Sequence, residues 1–168
     1  STANFWYYDD LVTTATITAS DNVTAPDGAT GIDDATDAVS ITAAATAQFS
    51  LDDPGDMTAG TRLGYVVTRK DAFGNLVSSG ADTVYFYGNS TGNYAFYDVS
   101  SGGTPVASVT ILDASSTAGF WYYDDTAGTF DVTASDNATV PDGSTGIDDA
   151  TDGVTVTAAA SAQFSLDD

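Results

Sequence analysis

Ser1–Asp10 reads STANFWYYDD, and Ser116–Asp125 reads STAGFWYYDD. The two blocks continue in step to TAQFSLDD at Thr46–Asp53 and SAQFSLDD at Ser161–Asp168. The period is therefore about 115 residues, the size of one sandwich domain, and about three-quarters of the aligned positions are identical. The replacements are mild: Ile17 for Val132, Ile41 for Val156, Ser40 for Thr155, Ala29 for Ser144. Only Leu11–Thr16 against Thr126–Asp131 diverges freely, as expected of an exposed turn and strand edge. Neighbouring copies this alike predict an array whose units repeat one mechanical or adhesive task.

Within a period the apolar residues alternate. Thr129–Ser135 sends Phe130, Val132 and Ala134 to one face and Thr129, Asp131 and Thr133 to the other. Val154, Val156 and Ala158 form a further inward row, and Val109 and Ile111 share a face of Ala107–Leu112. Arg62–Arg69 and Thr83–Tyr87 read as two more strands, the former with Leu63, Tyr65 and Val67 on one side. Turn chemistry separates the runs at Asp52–Asp56, Asp71–Asn75, Tyr87–Asn93 and Pro141–Gly143. Thr, Val, Tyr and Phe are plentiful and strong helix formers are scarce. The fold class is all-β: immunoglobulin-like β-sandwich modules in tandem, with Greek-key connections.

The run FSLDDPGDMTAGTRLGYVVTRKDAFGNLV, Phe49–Val77, resembles the opening of bacterial immunoglobulin-like repeats of the invasin and intimin type. The resemblance lies in an Ala-Gly turn before a strand and a D-x-x-G-N turn after it, here Asp71, Gly74 and Asn75. Ala127–Asp136, AGTFDVTASD, is similar to the penultimate strand of such modules, whereas FWYYDD and the Asp-rich stretch Asp136–Asp152 depart from the pattern. The resemblance implies a large surface protein: an adhesin, a surface layer or an appendage. It also sets a register. Residues 1–45 become the C-terminal half of a preceding module, 46–158 one complete module, and 159–168 the start of the next. Half a sandwich leaves edges and core unfilled, and is expected to be completed by upstream sequence or by strands of a neighbouring chain. The chain opens on Ser1 without Met and stops in mid-pattern, so a longer processed protein is expected and missing targeting signals mean little.

Composition narrows the function. The sequence holds 24 acidic residues, all Asp, against three cations, Arg62, Arg69 and Lys70, for a net charge of −21. That charge excludes nucleic acid as a partner and argues against an anionic membrane surface. No apolar run approaches a membrane span, so direct membrane insertion is not expected. Such self-repulsion points to bound calcium, to a saline habitat, or to a solvated non-sticky surface. With neither His nor Cys, the Ser-His-Asp and Cys-His arrangements and the usual zinc sites cannot form, and no enzyme is expected.

Calcium takes six to eight oxygen ligands, which loops dense in Asp, Asn and Gly supply. The candidate loops are Asp21, Asn22, Asp27, Asp33, Asp34 and Asp37, recurring as Asp136, Asn137, Asp142, Asp148, Asp149 and Asp152. Against this stands the ordinary use of Asp in solvated Asx-turns. A second candidate lies at a module junction: Asp52, Asp53 and Asp56 with Asp124 and Asp125, or with Asp9 and Asp10. In FWYYDD, alternation puts Phe120 and Tyr122 on one face and Trp121 and Tyr123 on the other. Either the Trp packs in the sandwich interior, or Trp6, Tyr8, Trp121 and Tyr123 are exposed to stack on a sugar or a neighbouring subunit. Three N-x-[ST] sequons begin at Asn22, Asn89 and Asn137.

The expected function is a structural or assembly module of an extracellular repeat protein: a filament, surface layer or adhesin stalk at the cell surface. The expected partners are copies of itself or adjacent modules. The alternative is a calcium-dependent module that binds glycans or another surface.

Overall fold

A computed structural model of the chain describes residues 2–161. The chain divides into two units, Ser1–Ala44 and Ala45–Asp168. Of the expected start of a further module at 159–168, residues 162–168 lie outside the described residues.

The first unit is a hairpin. β1 (Thr13–Ala19) and β2 (Ala35–Ile41) pair antiparallel, from Thr13 opposite Ile41 to Ala19 opposite Ala35, and a long Asp-rich loop joins them. The FWYYDD run before β1 is not in a strand.

The second unit is a two-layer sandwich. In chain order its strands are β3 (Gln48–Leu51), β4 (Met57–Thr58), β5 (Thr61–Lys70), β6 (Asp82–Gly88) and β7 (Tyr94–Tyr97). There follow β8 (Ser108–Ile111), β9 (Thr117–Asp124), β10 (Gly128–Ser135) and β11 (Ala150–Thr157). One sheet runs β3-β5-β9-β7 and the other β4-β11-β10-β6-β8. The first order fills the places of strands A, B, E and D of an immunoglobulin sandwich, and β11-β10-β6 those of G, F and C. The fold is an immunoglobulin-like β-sandwich with no helix among the described residues.

Period-2 alternation explains which side chains fill the core. From one sheet come Tyr65, Val67, Phe120, Tyr122 and Phe96, and from the other Val84, Phe86, Val132, Val154 and Val156. Phe120 is the hub. Its ring lies 3.9 Å from Phe86, 5.3 Å from Tyr65 and 6.1 Å from Phe96, centroid to centroid. Aromatic contacts of this kind add about 0.5–1.5 kcal/mol each beyond area burial.

One position differs from the sequence reading and two were left open by it. Ala158 lies beyond the end of β11 and is exposed, because the strand stops at Thr157. At the far end of β5 the inward place after Val67 is taken by a cation: Arg69 is fully buried. It donates from Nε to Val77 O at 2.9 Å and from Nη2 to Ser115 O at 2.7 Å and Gly80 O at 2.9 Å, while Nη1 pairs with Asp82 at 2.8 Å. The planar guanidinium thereby gathers loop carbonyls that no strand satisfies. Third, Trp121 does not enter the core. It stands half-buried on the outer face over Gly64, where a Cβ would meet its Nε1 at 3.0 Å.

The two halves of the sequence repeat fold alike in their last two strands and differ before them. β10 and β11 pair Gly128 with Val156 and Ala134 with Ala150, the register of β1 and β2 carried forward by one period. The aromatic run does not repeat its structure. Phe120 and Tyr122 are fully buried in β9, whereas Phe5, Trp6, Tyr7 and Tyr8 are 69%, 91%, 46% and 75% exposed. β9 has β5 and β7 on its two sides, and those strands belong to Ala45–Ser115, a segment with no counterpart in the first unit.

Candidate functional site

The most organised polar site is the loop between β10 and β11, and the loop between β1 and β2 has the same construction. Ser135 Oγ accepts from the Asn137 amide at 3.1 Å, and Asn137 Oδ1 accepts from the Thr139 amide at 2.9 Å. Asp136 Oδ2 accepts from Ile147 N at 3.1 Å, closing the base of the loop. Asp142 Oδ2 accepts from Asn137 Nδ2 at 3.0 Å, and Asp149 Oδ2 from Gly143 N at 2.8 Å. In the first unit Ser20, Asp21, Asn22, Asp27 and Asp34 make the same bonds at 2.8–3.2 Å. Gly146 permits the chain to pass over Asp136: its φ is +80° and a Cβ there would meet Asp136 Oδ2 at 2.5 Å. Gly31 stands likewise over Asp21.

Asp136 and Asp149 thus use one oxygen to hold the backbone and Asp142 uses one to hold the Asn137 side chain, each keeping the other oxygen free. In the second loop, Oδ1 of Asp136, Asp142 and Asp149 is buried and has no hydrogen-bond partner; in the first, Oδ1 of Asp27 and Asp34 is in the same state. One carboxylate oxygen from each of Asp136, Asp142 and Asp149 lies within 4.8 Å of the others, and the same holds for Asp21, Asp27 and Asp34. Carboxylates this close repel, and a buried oxygen without a donor loses its hydration. A hard cation at their centre answers both. Oxygens at 2.3–2.6 Å from a calcium ion fall within about 5 Å of one another, so the spacing fits, with backbone carbonyls and water left to complete six to eight ligands.

Hydrogen bonds from the Ser20 hydroxyl and the Gly28 amide hold the Asp34 carboxyl below the usual carboxylate range. Burial, followed by the charges of Asp149, Tyr85 and Asp142, pushes the Tyr87 hydroxyl up. It therefore stays protonated and donates to Asn137 O at 2.5 Å, clamping the loop onto β6.

The other sequence candidates fall elsewhere. Asp148 is backbone structure: its N–H donates to Ala47 O and its C=O accepts from Phe49 N, both at 2.9 Å, so the loop's end docks on β3. Asp152 Oδ2 accepts from the Tyr65 hydroxyl at 2.9 Å, across the sheets. Desolvation, then the nearby Asp53 and Asp52, hold the Asp152 carboxyl above its ordinary range. Their counterparts Asp33 and Asp37 are exposed. Neither pair joins the three-carboxylate groups, and Asn22 and Asn137 hold Asp27 and Asp142 from beside them.

At the expected junction site, Asp52 Oδ1 accepts from Val66 N at 2.7 Å and Asp53 Oδ1 from Gly55 N at 3.0 Å. Asp124 is fully buried, accepting from the Tyr122 hydroxyl at 2.6 Å and Thr126 N at 2.9 Å. Asp125 takes both the amide and the side chain of Asn93. Among the described residues, no three of Asp52, Asp53, Asp56, Asp124 and Asp125 gather as a ligand set. Asp9 and Asp10 are likewise outside any such group, Asp9 accepting from the Tyr7 hydroxyl and the Leu11 amide.

Trp121 and Tyr123 lie on the outer face of the β3-β5-β9-β7 sheet, half-buried, near Tyr97 and the Arg62 guanidinium, which sits 3.3 Å over the Tyr97 ring. The pairing of Thr61 with Asp124, and the bond from Gly60 N to Asp124 O, place this patch at the β4–β5 turn. The Asp136–Asp149 loop is at the opposite end of the strands, beyond Ala134 and Ala150.

No protein-family model matches the sequence, and no curated protein matches it. Solved structures do. A β-glycosidase from Bacteroides vulgatus superposes at a TM-score of 0.50 with 13% identity, over 76% of this chain and 16% of its own. Domains 4 and 5 of the S-layer protein SbsC give 0.45 and 19%, over 76% of this chain and 54% of theirs. Domains 1–6 of the same protein give 0.45 and 16%, over 90% and 17%. The chain thus spans about half or less of the length of these structures, and at such identities the likeness concerns fold alone.

Proposed function

We propose that the chain is a structural module of an extracellular repeat protein, a filament, surface layer or stalk of the cell surface, whose Asp loops each hold one calcium ion. One observation carries the structural role. The hairpin and its loop recur one period apart with the same register and the same hydrogen bonds. Repetition of a form, rather than of a catalytic group, is what an array is built from.

The topology of the complete module suits such a role. β3 begins level with Asp148, ahead of β11, whereas β11 ends beside β4, with Thr157 opposite Thr58. The chain enters at one end of the sandwich and leaves at the other. The loop carboxylates would bind calcium through the oxygens that the protein leaves unpartnered, and the ion would stiffen a loop that has no strand of its own.

The glycan-binding alternative needs an exposed aromatic beside the ion. Trp121 and Tyr123 are instead at the far end of the strands from the Asp loop and on the other sheet, which favours the structural reading.

Thermal unfolding in chelator, in millimolar calcium and in matched ionic strength of sodium chloride tests the ion. Calcium is expected to raise the midpoint well beyond the sodium control. Ligand present at 100 times its Kd stabilises by about 2.7 kcal/mol. Asp142→Asn is expected to raise the midpoint in chelator, by removing one of three repelling charges, and to abolish most of the calcium shift. Equal midpoints in calcium and sodium for the unsubstituted chain would refute the calcium site.

A further inference from the structure

We propose that the Asp136–Asp149 loop is a calcium-operated latch on β3, the strand by which the chain enters the sandwich; this rests on the calcium reading of the loop and adds what the ion controls. β3 is four residues long and lies at the edge of its sheet. On one side it pairs with β5, from Gln48 opposite Lys70 to Leu51 opposite Val67. On the other side the loop meets it through one residue. Asp148 N donates to Ala47 O and Asp148 O accepts from Phe49 N, both at 2.9 Å. Phe49 is buried in the core, so these bonds hold a core side chain in place as well as a strand edge.

Both chain neighbours of Asp148 are held by carboxylates that would take the ion. Ile147 N donates to Asp136 Oδ2 at 3.1 Å. Asp149 N donates to Gly143 O at 2.7 Å, and Asp149 Oδ2 accepts from Gly143 N at 2.8 Å. The place of Asp148 is therefore set by Asp136 and Asp149, two members of the close triplet. With no cation between them these charges repel, and the loop relieves the repulsion by spreading. Spreading shifts the Asp148 backbone, because Ile147 and Gly143 follow the oxygens that hold them. A calcium ion draws the same carboxylates to about 2.3–2.6 Å and closes the latch. The other ties of β3 do not pass through the loop. Thr46 Oγ1 donates to Asp82 at 2.9 Å, Gln48 Nε2 to Asp71 O at 2.8 Å, and Asp52 N, just past the strand, to Val66 O at 3.2 Å. Loss of the ion thus frees the loop-facing edge of β3 and leaves its β5-facing edge paired.

Amide hydrogen exchange of the full chain, followed by NMR in millimolar calcium and in chelator at matched ionic strength, tests this. Phe49 N faces the loop and Asp52 N faces β5, while Phe86 N, bonded to Ala107 O at 2.9 Å in the other sheet, reports on the module as a whole. Chelator is expected to speed exchange at Phe49 and Asp148 about tenfold more than at Asp52 and Phe86, the size that local loss of a backbone bond or two gives. Asp142→Asn removes one ligand charge and leaves Asp136, Asp148 and Asp149 in place. It is expected to bring the calcium response of Phe49 down to that of Phe86. Equal responses at Phe49 and Phe86 in a chain whose thermal midpoint calcium raises would overturn the latch and leave the calcium reading standing. A Phe49 response that keeps its full size in Asp142→Asn overturns the latch as well, since the ion would then act from elsewhere. A chain in which calcium alters neither exchange nor the midpoint overturns both.

Discussion

Arg69 is the residue on which the packing of one end of the sandwich turns. Its guanidinium satisfies the carbonyls of Val77, Gly80 and Ser115 and neutralises Asp82. Arg69→Ala leaves these carbonyls and Asp82 without their shared donor all at once, and breaking a buried pair from one side costs about 3–5 kcal/mol. Chemical denaturation is expected to show a loss of that size, and a change under about 1 kcal/mol would contradict the role. Asp125 carries the pH dependence that is simplest to assign. The Asn93 side chain, then the Asn93 amide, hold its carboxyl below the ordinary value. A depressed carboxylate stabilises the fold above the unfolded value near 4 and loses that contribution as pH falls through the lower folded value. Asn93→Ala is expected to move the Asp125 titration upward when followed by carboxyl carbon NMR, and an unmoved titration would show that the Asn93 bonds are not its cause.

At the scale of elements, the strands with clean alternation were legible before the structure: β5, β6, β8, β10 and β11 lie where Arg62–Arg69, Thr83–Tyr87, Ala107–Leu112, Thr129–Ser135 and the Val154 row place them. β4 and β7 were not, because two and four residues are too short to display a period. The burial of Arg69 was hidden because a cation in an alternating strand reads as an outward residue. In the Asp loops the close triplets were visible as density but not as a selection. Asp148 and Asp152 look like Asp142 and Asp149 in sequence, and only three-dimensional closure assigns the former to β3 and to Tyr65. One short element carries a mechanical prediction. β4 runs parallel to β11, with Ala59 N donating to Thr157 O at 2.8 Å and Thr157 Oγ1 to Met57 O at 3.0 Å. Pulling the two ends of the module apart shears this pair, loading its bonds side by side. Ala59→Pro deletes one donor, and Gly60, with φ +81°, makes position 59 the one in the turn that accepts proline. A lower peak force in single-molecule unfolding is expected, with equilibrium stability reduced by only about 0.5–1.5 kcal/mol. An unchanged peak would mean that force enters elsewhere.

Across the whole molecule, two divalent ions would cancel only a small part of the net charge of −21. The remaining carboxylates serve other ends: Asx-turns such as those of Asp53 and Asp71, and a solvated, strongly negative surface. The entry of the chain level with Asp148 and its exit beside Thr58 also give the complete module a head and a tail. A fibre assembled from such units has an arrow in it. Its leading and trailing tips would present different chemistry, so growth, anchoring and capping become one-way operations, and reversing a single link would set like ends against each other.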